Sequence, residues 1–88
     1  MPISTAAQLE DSIVHGVVDA DKFLQLGMMY SAGNSVPADM VAAHKWFNIA
    51  ALRGSNAAAK MRREIASEMS ETEIAAAQRA ARAWLTRH

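Results

Sequence analysis

At 88 residues the chain makes a single domain, of a size that buries only a modest fraction of its surface. Hydrophobic residues make up 51% of it, but 19 of them are alanine, so the core must come from closely approaching helices; two prolines, four glycines and few β-branched residues beyond the N-terminus argue against a sheet. The lack of cysteine excludes disulfides, thiolate metal sites and thiol catalysis, and the zero net charge divides into −4 over residues 1–44 and +4 over residues 45–88, a polarity that can steer head-to-tail association or an acidic partner but that solvated helix faces explain better.

Five helices follow in chain order, giving an all-α fold. The first spans about Thr5 to His15, with Thr5 and Gln8 spaced as a capping box, Gly16 as the stop, and Leu9, Ile13 and Val17 forming one apolar stripe. The second starts after Asp19 and runs to about Ala32, placing Phe23, Leu26, Gly27 and Tyr30 on one face. The third begins near Asp39, ends at Gly54, and buries Ala43, Trp46, Phe47 and Ala50. The fourth, from about Asn56 to Met69, carries Ala58, Met61, Ile65 and Met69 inward. The fifth opens on "SETE", where Ser70 and Glu73 match a capping box, and buries Ile74, Ala77, Ala81, Trp84 and Leu85. Connections this short make neighbouring helices antiparallel, so the chain reads as a string of helical hairpins.

The stretch "LGMMYSAGNSVPAD", Leu26 to Asp39, looks at first like a catalytic loop. Each of its unusual residues has a packing role instead. Gly27 lets the second and third helices approach, with Trp46 and Phe47 lying over the gap. Gly33 takes the left-handed conformation that ends a helix, and Val36 tucks beneath the loop. Pro37 stops the second helix, leaving Asp39 to cap the third.

The succession Leu26-Gly27, Tyr30, Gly33, Val36, Asp39, Ala43, Trp46-Phe47, Ala50-Ala51, Gly54, Ala58 resembles the Sel1-like repeat, a relative of the tetratricopeptide repeat with a somewhat longer unit. The likeness covers about residues 22–58. It departs from the family pattern at Phe47, where tyrosine is common, and at Ser35, where glycine often stands. A second repeat would need its Leu-Gly pair at positions 62 and 63, which hold Arg62 and Arg63, so the regular array stops there. The resemblance implies a short α-solenoid of antiparallel hairpins in one domain: an N-terminal helix (1–18), a repeat hairpin (19–54) and a C-terminal hairpin (55–88) that caps the open face. It also implies an adaptor that binds a protein or peptide in a groove lined by the first helix of the hairpin. Many members of that family are bacterial.

Signals for chemistry are weak. The three histidines lack the i, i+4 spacing of a helical zinc site, and the expectation is three partly exposed side chains. "GNSVP" is no nucleophile elbow, and there is no phosphate loop or dinucleotide fingerprint. The reading is a non-enzymatic protein with no catalytic residue, cofactor or metal. The basic residues are interleaved with glutamates and lack neighbouring aromatics, which speaks against nucleic acid. No stretch approaches the roughly 20 apolar residues of a membrane span, and "MPISTAAQLEDSIVHG" lacks the basic start of a secretory signal. The expected setting is cytoplasmic.

A candidate partner surface comes from the helical wheel of the second helix. With Phe23, Leu26, Gly27 and Tyr30 inward, Gln25 and Met28 point away and Lys22 and Leu24 flank them. Leu24 and Met28, four apart, make an apolar strip that the hairpin itself leaves uncovered, to be taken either by Leu9, Ile13 and Val17 or by a partner. A self-assembling dimer or stack, or a small regulatory subunit of an enzyme, is the alternative function.

Overall fold

The computed structural model describes residues 19–87, and these form four α-helices without a strand: α1 (Ala20–Ala32), α2 (Met40–Leu52), α3 (Asn56–Ala66) and α4 (Glu71–Arg87). They match the second to fifth helices expected from the sequence; the first, with Leu9, Ile13 and Val17, lies outside the described residues.

Local chemistry sets each helix start. The Lys22 amide donates to Asp19 Oδ1 (3.0 Å), the Ala42 amide to Asp39 Oδ1 (3.0 Å) and the Ala58 amide to Ser55 Oγ (3.1 Å). At α4 the box is reciprocal: the Ser70 amide donates to Glu73 Oε1 (2.9 Å) and the Glu73 amide to Ser70 Oγ (3.1 Å). Each such cap satisfies a backbone donor that the helix leaves unpaired.

Helix ends are set with equal economy. Gly33 adopts φ 75°, and its amide donates to Met29 O (2.9 Å), turning the chain out of α1. Ser35 also sits in the left-handed region (φ 69°), unusual for a residue with a side chain. Val36 packs against the core, and the Asp39 amide donates to Tyr30 O (3.0 Å), which ties the connection to the helix it leaves. α3 ends at Ala66, earlier than the expected Met69. The Glu68 and Met69 amides bond to carbonyls three residues back, and Ser67 Oγ donates to Glu64 O (2.6 Å), so the chain tightens into a turn.

The core is organised around α2, which packs closely against each of the other three helices. Phe23, Leu26, Ala43, Phe47, Ile49, Ala50 and Ala58 are fully buried, with Trp46 and Ala81 nearly so. Each large side chain among these contributes about 1.5–3 kcal/mol by leaving water. Three aromatic rings join α1, α2 and α4. Phe23 stacks on Trp46 (6.0 Å, 18°), while Trp84 meets Phe23 (5.3 Å, 83°) and Trp46 (5.6 Å, 76°) edge-on. Such pairs add about 0.5–1.5 kcal/mol each beyond their area. Trp46 Nε1 has no hydrogen-bond partner among the described residues, so burial and stacking of the ring outweigh that loss.

Gly27 is buried against Phe47: a Cβ at this position would collide with ring atoms Cδ1 and Cε1 and stand 2.9 Å from Cγ. The absence of a side chain is what allows α1 and α2 to close. α3 and α4 each lie close along α2, and the close backbone contacts run to α2 rather than between the two.

Candidate functional site

The outward face of α1 carries the residues singled out from the sequence. Gln25 is exposed, and Met28, a large apolar side chain, is 46% exposed. Lys22 is half-buried at the capped start of the helix. Leu24 differs from its expected place. It is half-buried and packs against the core cluster, so the Leu24–Met28 strip is not wholly uncovered; Met28 is its open end. The physical reason is that Leu24 neighbours Phe23 on the flank of the buried face, and its length lets it lean inward.

The structural residues of the resemblance come together as a seam. Leu26, Gly27, Trp46, Phe47 and Ala50 are buried between the helices, Tyr30 is half-buried beside them, and Gly33, Asp39 and Gly54 occupy the helix ends. A second exposed apolar residue, Leu52 (64% exposed), stands at the last turn of α2, off the apolar stripe that the sequence shows on that helix. Lys45 turns its ammonium over the Trp46 ring, 4.0 Å from the centroid, where the ring's negative face attracts it.

A polar cluster crosses from α2 to α3. Arg62 Nη1 donates to Asn48 Oδ1 (3.0 Å), and His44, one turn before Asn48, is only 3% exposed. This corrects the expectation of partly exposed histidines for His44; His15 and His88 lie outside the described residues. His44 Nδ1 has no hydrogen-bond partner among the described residues. Burial pushes the His44 pKa below its ordinary 6.5, the Arg62 guanidinium pushes it the same way, and the residue's own backbone opposes the shift in part. The imidazole is therefore neutral near pH 7.

Among the described residues, no three His, Cys, Asp or Glu side chains gather as they would around a metal ion, and no helix is long and apolar enough to cross a membrane. The chain matches no protein-family model, no curated protein and no solved structure.

Proposed function

We propose that the chain is a non-enzymatic protein-interaction module, a short α-solenoid with one full Sel1-like repeat at about 22–58, taking a protein or peptide on the outer face of α1. Met28 carries this reading: a flexible, polarizable side chain left 46% exposed beside exposed Gln25 and half-buried Lys22 suits an adaptable contact. Two further observations support the repeat. Gly27 and Phe47, both positions of the resemblance, meet in close contact. Ser35 holds a left-handed backbone at a place where the family often has glycine. Arg62, where a second repeat would need its Leu-Gly pair, makes a polar contact with Asn48 instead.

The division of charge between the halves of the chain favours a second reading, a self-assembling dimer or stack. Two measurements separate the readings. Met28→Lys places a charge on an exposed position, so it should shift stability by no more than about 0.5 kcal/mol, yet remove proteins captured from the native cell by the wild-type chain. Early melting would make Met28 core, and an unchanged set of captured proteins would exclude the α1 face. Mass measured across a salt series tests the second reading, which requires oligomers that weaken as salt rises.

A further inference from the structure

We propose that His44 makes the α2–α3 seam acid-sensitive: protonation of its buried imidazole opposite Arg62 weakens the packing of α3 on α2, so the fold loosens at mildly acidic pH. The geometry that carries this is a polar ring buried on α2, one turn from the Asn48 that holds Arg62 of α3. His44 is 3% exposed, and its Nδ1 has no partner among the described residues that would share an added proton. A proton taken from solvent makes the ring a cation with donors at both nitrogens, and the one offset, a contact with the residue's own backbone, is smaller than the cost of burying the charge.

The surrounding charges do not relieve it. From α3, Arg62 is the charged group that acts on the imidazole, and it is of like sign. Its guanidinium is held at the seam by Asn48, a neutral residue on the same helix as His44. The other charged side chains of α3 (Lys60, Arg63 and Glu64) are exposed, as are Glu71, Glu73, Arg79, Arg82 and Arg87 of α4 and Asp21 of α1. Lys22 of α1 is half-buried, and Lys45, beside His44 on α2, is engaged with the Trp46 ring. None of these acids acts on His44 among the described residues.

The direction in pH follows. Because the folded-state pKa lies below 6.5, the unfolded chain takes up the proton first. This contribution to stability is complete above the unfolded value and drains away as pH falls through the folded one. It is a loss on the acid side, distinct from the protonation of carboxylates at lower pH.

The test is the urea midpoint of the full chain measured from neutral pH to about pH 5, a window that begins above the ordinary histidine value. The wild-type midpoint should fall below about pH 6.5, His44→Phe should remove that fall, and Arg62→Gln should lessen it without abolishing it, because burial is the larger cause. Parallel profiles for wild type and His44→Phe would overturn the proposal. Should His44→Phe not fold, the double variant His15→Gln/His88→Gln leaves His44 as the one imidazole, and its NMR titration answers the question. Titration below 6.5 in the folded state supports the proposal, and titration at or above 6.5 overturns it.

Discussion

Exchanging Gly27 for leucine sets two opposing effects against each other at one position. Leucine in a helix interior gains somewhat under 1 kcal/mol of intrinsic propensity over glycine, and the helical backbone at 27 imposes no strain on a side chain. Against that stands Phe47. Even a lone Cβ would overlap Cδ1 and Cε1 and crowd Cγ at 2.9 Å, and leucine adds three carbons more. The ring has nowhere to retreat, since Phe47 is fully buried, as are Phe23, Leu26 and Ile49 in the same core cluster. Overpacking of this kind costs on the order of 1–3 kcal/mol, which overcomes the propensity gain. Net of the propensity gain about 0.2–2 kcal/mol is lost, so for a domain this small the melting temperature should fall by roughly 1–15 °C, read by circular dichroism. Combining Gly27→Leu with Phe47→Ala makes the room, so the double variant should be less damaged than the two single losses added together. A melting temperature unchanged or raised in Gly27→Leu would refute the close contact between α1 and α2.

Other perturbations have equally definite outcomes. Ser70→Ala removes one half of the α4 box and should lower the urea midpoint by the equivalent of about 1 kcal/mol, whereas Glu73→Gln, which can still reach back to the Ser70 amide, should keep most of that stability. Chelators should leave the melting curve unchanged, because the described residues include no set of ligands that folding could depend on; stoichiometric zinc that survives dialysis would contradict this.

Features governed by neighbouring residues were legible in the sequence. The caps at Asp19, Asp39 and Ser70, the left-handed stop at Gly33 and the inward Val36 each depend on atoms a few residues away. α2 shows where such reading fails. Single-face periodicity selected Ala43, Trp46, Phe47 and Ala50, yet His44 and Ile49 are buried too, because three helices pack around α2 and it has little outer face. A helix buried on most sides carries no one-sided stripe to read. Its mean hydropathy, unlike its periodicity, was the available signal. On α1, the wheel gave the outward direction of Gln25 and Met28 but not the inward lean of Leu24, which depends on side-chain length rather than register.

The edge-on meeting of Trp46 and Trp84 gives the molecule its own spectroscopic gauge. These are the chain's two tryptophans, one on the central helix and one near the end of the last. With centroids 5.6 Å apart and planes inclined at 76°, each indole sits in the fixed asymmetric field of the other, an environment that gives both rings near-ultraviolet dichroism. The part of that signal due to Trp84 depends on α4 being docked against Phe23 and Trp46. Lifting α4 away would weaken the near-ultraviolet signal, so a near-ultraviolet loss that precedes the far-ultraviolet one would report undocking of α4 ahead of the loss of helix.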